Sequence, residues 1–85
     1  MKLNWMNDCF SPAEMEALCA EMVEANIRLQ TSRITKDASE EDIKMREKRI
    51  KDLQANLADL RTALKNAKGV VSMESSFLFE TVHPA

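Results

Sequence analysis

Glycine and proline are scarce in this 85-residue chain, which has one glycine and two prolines. A sheet of several strands needs turn residues between its strands, so this scarcity argues against one. Tyrosine is absent, and lysine, glutamate, alanine, leucine and methionine are plentiful, which favours helices. The length allows one small domain. The composition therefore predicts an all-α protein.

Residues that commonly carry catalysis are also rare. The chain has one histidine, His83, and contains no glycine-rich phosphate loop, HExxH motif or CxxC motif. Cys9 and Cys19 show no metal-ligand spacing with that histidine, and we expect both to be free thiols. The sequence therefore predicts a protein that is not an enzyme and that uses no metal and no cofactor.

No apolar run approaches the roughly 18–20 residues that a membrane-spanning helix requires. At the N-terminus, asparagine and aspartate interrupt the apolar stretch that an export signal would need. We therefore expect a cytoplasmic protein with no membrane partner.

The first helix is predicted over about residues 12–35. Ser11, Pro12 and Glu14 form the pattern of a capping box, with proline at the first helical position. The apolar positions that follow cover an arc of roughly 200°. A helix that contacts one neighbour needs about half of that width, so this helix is expected to contact more than one. Asn26 lies within the arc, where it either fixes the register of a helix pair or stays half-exposed at a rim.

The second helix is predicted over about residues 40–68, with Ser39 as its N-cap and Gly69 as its C-cap. Leucines and isoleucines repeat with the 3-4 spacing of a coiled-coil seam, and Ile43 extends this repeat by one heptad. The polar connection between the helices is three to five residues long, so residues 11–69 should form an antiparallel, coiled-coil-like hairpin. Its expected core, or the core of an oligomer, is Met15, Leu18, Met22, Leu29, Ile50, Leu53, Leu57, Leu60 and Leu64.

Both ends of the chain are apolar, and all four aromatic residues lie in them. We expect residues 1–10 to be an irregular arm and residues 70–85 to be a tail with a short helix, although a strand over SFLFETV is the competing interpretation. In an antiparallel hairpin the two tails emerge at the same pole, so their aromatic residues can meet. They then either close the bundle or bind a partner. The candidate partner-binding residues are Trp5, Met6, Phe10, Val23, Ile27, Phe77 and Phe79.

A lone hairpin of this composition would leave a large apolar patch exposed, which monomers rarely do. We therefore expect a homo-oligomer in the form of a helical bundle, and a small interaction module that serves as an adaptor, chaperone or inhibitor for another protein. One alternative is nucleic-acid binding through the basic segment 44–51, although its acidic neighbours and the lack of aromatic residues among its cations argue against it. Another is a structural subunit of a larger assembly. The candidate basic patch is Arg28, Arg33, Lys44, Lys48 and Lys51.

Overall fold

The computed structural model describes residues 1–82, so His83 and the end of the predicted tail lie outside the described residues. The chain forms two helices and two strands. Strand β1 spans Lys2–Phe10, helix α1 spans Pro12–Ser32, helix α2 spans Glu40–Lys65 and strand β2 spans Val71–Leu78. The two strands form one antiparallel sheet, in which the two ends of the chain pair with each other.

Both predicted helices are present, and each ends three residues earlier than predicted. The last backbone N–H groups of each helix bond in tight turns, at Arg33 after α1 and at Asn66 after α2. Gly69 is therefore not the C-cap. It adopts a φ of 77° in the turn that leads into β2, a backbone conformation that glycine tolerates without steric cost.

The start of α1 has the predicted capping box. The backbone N–H of Glu14 donates to the Ser11 hydroxyl at 3.1 Å, and the backbone N–H of Ser11 donates to the Glu14 carboxylate at 2.9 Å. These bonds satisfy donors that have no partner inside the helix.

We expect Ser11→Ala to lower the free energy of unfolding by about 1 kcal/mol, because the alanine leaves a helix donor without its acceptor. Chemical denaturation of the two proteins measures this difference. Ser11→Asp keeps an acceptor and is the control. Equal losses for both variants would mean that the cap contributes nothing.

The all-α prediction is wrong, because Lys2–Phe10 and Val71–Leu78, which lie in the two predicted tails, are strands. Residues 1–10 are not irregular, and the C-terminal segment is a strand and not a short helix. The chain is therefore not a helical hairpin with loose tails, and the assembly of hairpins into a helical bundle loses its basis. The physical reason is that the antiparallel hairpin delivers Phe10 and Val71 to the same pole, where they begin a ladder of backbone hydrogen bonds. At its far end the N-terminal ammonium donates to the Phe79 carbonyl at 2.9 Å.

The sheet has an apolar face and a polar face. Directly opposed residues of an antiparallel pair project to the same side. Leu3 opposes Phe77, and Phe10 opposes Val71, on the apolar face. The opposite face is exposed along its whole length and consists of Lys2, Asn4, Asn7, Cys9, Ser72, Glu74, Ser76 and Leu78. This alternation is what a sheet with one solvated face requires.

The molecule is flat and elongated. Its Cα extents are 48 × 29 × 14 Å and its radius of gyration is 16.0 Å, whereas a compact domain of this length would have about 12 Å. Helix α2 alone spans about 39 Å and each strand spans about 26–30 Å. The length of α2 and the length of a strand together exceed the longest extent of the molecule. The sheet therefore folds back beside the helices and does not continue in line with them from their pole.

Little of the molecule is fully buried. The buried apolar side chains are Met15, Leu57 and Leu64, all of which the sequence assigned to the core. Four other predicted core residues are half-buried, namely Leu18, Ile50, Leu53 and Leu60. Met22 and Leu29 are exposed, so they are not part of the core of the single chain.

Candidate protein-binding surface

Trp5, Phe77 and Phe79 form an exposed aromatic cluster at the end of the sheet that lies farthest from the helix pole. The rings of Trp5 and Phe77 meet edge to face with centroids 5.1 Å apart, and those of Phe77 and Phe79 lie 6.4 Å apart. The register shifts between Asn4 and Met6, so Trp5 is the extra residue of a β-bulge. Trp5 nevertheless remains 62% exposed.

An apolar cleft of about 340 Å³ separates the helices from β2. Its lining comes from both helices and from the middle of the strand, and consists of Cys19, Met22, Val23, Asn56, Leu57, Leu60, Met73, Glu74 and Ser75. Leu57 closes the floor of the cleft as one of the buried core residues. The strand thus lies over the wide apolar arc of α1 without filling the space between them, which leaves Met22 exposed to solvent.

A polar ladder interrupts the seam between the helices. The Arg46 guanidinium donates to Gln30 Oε1 at 2.9 Å, and Gln30 Nε2 donates to Asn26 Oδ1 at 3.0 Å. Gln30 is only 6% exposed. These three residues therefore form a short hydrogen-bonded chain that fixes how the two helices face each other.

Sequence reasoning missed this ladder, although a signal for it was present. Position 46 lies three residues after Ile43 and four before Ile50, so the 3-4 repeat places it on the seam. The residue at this position is an arginine. The same repeat that predicts the coiled-coil-like packing thus marks Arg46 as a seam residue. Arg46 also belongs to the basic segment 44–51, and its spacing from Asp42 is that of an i,i+4 pair.

The pole of the helix pair carries a second, more polar cavity of about 480 Å³, which Pro12, Glu16, Arg61 and Lys65 help to line. Arg61 Nε donates to Glu16 Oε1 at 3.0 Å, the one ion pair within residues 1–82. Both side chains are about half exposed, so the pair adds little to stability. In the described part of the chain no group of three or more metal-ligating side chains comes together.

The structure separates the predicted partner-binding residues into several places. Trp5, Phe77 and Phe79 meet, as the shared pole of the tails suggested, although strand pairing carries them about 20 Å along the sheet from that pole. Phe10 stays at the opposite end of β1, where it faces Val71. Met6 lies mid-sheet and is half-buried. Val23 lines the apolar cleft, and Ile27 is half-buried on α1.

The predicted basic patch consists of exposed side chains on both helices. Arg28, Arg33, Lys44, Lys48 and Lys51 are all exposed. Lys44, Lys48 and Lys51 follow a helical spacing that places them away from the seam of α2. None of the five lines the cavities described above.

No family model, curated protein or solved structure is significantly similar to this chain. No helix among residues 1–82 is both long enough and apolar enough to cross a membrane. The geometry of the chain itself is therefore the basis for a functional interpretation.

Proposed function

We propose that this protein is a small interaction module that binds another protein through the aromatic cluster of Trp5, Phe77 and Phe79. The observation that carries this proposal is the exposure of Trp5 at the bulge of a strand that pairs with β2 on either side of it. Tryptophan and phenylalanine are enriched among the residues that dominate binding energies at protein interfaces. Their placement on a paired strand limits the ordering cost of binding, because the backbone is already fixed.

The accessible surface area supports the same proposal. The chain exposes 7013 Å², whereas a compact monomer of 9.7 kDa would expose about 5,100 Å². The excess is larger than the roughly 800 Å² that each partner buries in a standard interface.

The two free thiols, Cys9 and Cys19, favour the cytoplasm as the place where such binding occurs.

We expect Trp5→Ala to abolish partner binding while it lowers the free energy of unfolding by about 1 kcal/mol or less, since the ring is mostly exposed and loses only its edge contact. Affinity capture from the native host with wild-type and variant protein identifies the partner by mass spectrometry. Titration of that purified partner then measures the affinity and the emission of Trp5, which should shift to shorter wavelength on binding.

Val70→Ala is the matched control, because Val70 is equally exposed but lies before β2 and away from the cluster. It should capture the same partner with unchanged affinity. A partner that binds Trp5→Ala and wild type equally well, with Trp5 emission unchanged in the complex, would contradict the proposed site.

A further inference from the structure

The outer edge of β2 is an unpaired strand edge with the features of a self-pairing surface. The sheet has only two strands, so β2 pairs with β1 on one side and presents unpaired backbone N–H and C=O groups on the other. No hydrogen bond within residues 1–82 satisfies the outer edge of its central residues 72–77. Such an edge is a template for pairing with another strand.

The two edges of the sheet differ in how well they are protected. The edge of β1 carries the bulge at Trp5, a lysine at Lys2 and the carboxylate of Asp8, which accepts from the Cys9 N–H at 2.7 Å. Bulges and charged side chains are the devices that proteins use to block edge pairing. Strand β2 has eight residues in regular alternation, with no bulge, proline or lysine, and Glu74 is its one charged residue.

We infer that the protein forms a two-fold symmetric dimer in which β2 pairs antiparallel with β2 of a second copy, with the axis at Ser75. The result is a four-stranded sheet in the order β1-β2-β2-β1. A two-fold contact needs a self-complementary surface, and a single strand edge meets that need. The paired edge belongs to β2, whereas Trp5 of the proposed partner site lies on β1; Phe77 contributes to both surfaces.

The side chains select this register over its neighbours. With the axis at Ser75, Met73 of one copy opposes Phe77 of the other on the apolar face, and Glu74 opposes Ser76 on the polar face. An axis at Glu74 would place two carboxylates directly opposite each other, which is unfavourable. An axis at Ser76 would place Glu74 opposite Leu78. Of these three registers, the one centred on Ser75 pairs the large apolar residues and keeps the carboxylates apart.

The exposed area agrees with a second copy as the occupant. The excess of surface over that of a compact monomer is more than the roughly 800 Å² that a stable interface takes from each partner. Pairing of the two sheets also joins their apolar faces into one, which continues across the axis through Met73 and Phe77. Lateral contact of Met73 with Phe77 therefore adds side-chain packing to the backbone hydrogen bonds of the paired edges.

Cysteine cross-linking of the full chain, in a background of Cys9→Ser and Cys19→Ala, tests the register. Ser75→Cys should form a disulfide-linked dimer in high yield, because residues opposed on the axis have Cα atoms about 4.5–5.5 Å apart. Ser72→Cys is the control. Position 72 is more exposed than position 75. In this register, however, the Cα atoms of the two residues 72 lie about 20 Å apart, so they should not cross-link.

Charge variants of the exposed Ser76 test the same register without cysteine cross-linking. Because Ser76 opposes Glu74 twice across the axis, Ser76→Lys should lower the dissociation constant of the dimer about fivefold and Ser76→Glu should raise it about fivefold. Sedimentation equilibrium at micromolar concentrations measures both constants. Circular dichroism checks that each variant retains its helices.

Three results would overturn the inference. One is a mass of 9.7 kDa, that of the single chain, at all accessible concentrations. Another is cross-linking of Ser72→Cys as efficiently as of Ser75→Cys, which would indicate a parallel or different contact. The third is equal effects of the two charge variants. These results test the paired edge of β2, whereas loss of partner binding in Trp5→Ala tests the proposed partner site, so failure of one proposal is distinguishable from failure of the other.

Discussion

Leu57→Ala is expected to lower the free energy of unfolding by about 2–4 kcal/mol. Leu57 is 8% exposed, lies on the seam between the helices and forms the floor of the cleft beneath β2. Its removal therefore weakens the contact of α2 with α1 and enlarges the cleft. Urea denaturation followed by circular dichroism measures the loss.

Leu78→Ala is the matched control for this prediction. It deletes the same atoms from a side chain that is 70% exposed on the polar face of the sheet. We expect it to change the unfolding free energy by less than about 0.5 kcal/mol. Similar losses for the two variants would show that the seam has been assigned incorrectly, or that the sheet contributes as much to stability as the helix pair.

Arg46→Leu is expected to lower the unfolding free energy by about 1–3 kcal/mol, even though it places an apolar residue in an apolar repeat. The substitution leaves the Oε1 of Gln30 buried and without a donor, and an unsatisfied buried acceptor costs about this much. The double variant Gln30→Leu, Arg46→Leu completes the seam with apolar residues on both helices. We expect its stability to equal or exceed that of the wild type.

The double-mutant cycle of Gln30 and Arg46 separates the hydrogen bond from the rest of the packing. A coupling energy of at least about 1 kcal/mol is expected, because the two side chains bond directly at 2.9 Å. Additive effects of the two substitutions would contradict the ladder. A further consequence concerns specificity, since loss of the ladder removes the polar contact that holds α1 and α2 in one register. A stable double variant with exchange-broadened amide signals would indicate that register loss.

The aromatic cluster was predictable in part. Trp5 and Phe77 were expected to meet because the antiparallel hairpin brings both tails to one pole, and their rings do meet. Phe10 was expected with them, but the strand carries it to the opposite end of the sheet, beside Val71. The difference arises because a strand advances about 3.3 Å per residue. Residues five positions apart in an extended segment therefore cannot share one small cluster.

The helices were determined by short-range chemistry that the sequence displays directly. A cap such as that of Ser11 and Glu14 depends on residues three positions apart, and the seam depends on spacings of three and four. Strand formation at the two ends depended instead on pairing between residues more than 60 positions apart, such as Phe10 and Val71. Strand β1 has asparagines and an aspartate in its middle, so its local propensity for strand is low.

Its backbone becomes a strand because β2 satisfies its hydrogen bonds, and β2 is within reach only after the hairpin has formed. The periodicities of the two helices and their N-caps at Ser11 and Ser39 thus belong to the sequence alone. The sheet, the aromatic cluster and the free edge of β2 exist only in the folded chain, since a strand is stabilised by its neighbour in space and not by its neighbours in sequence.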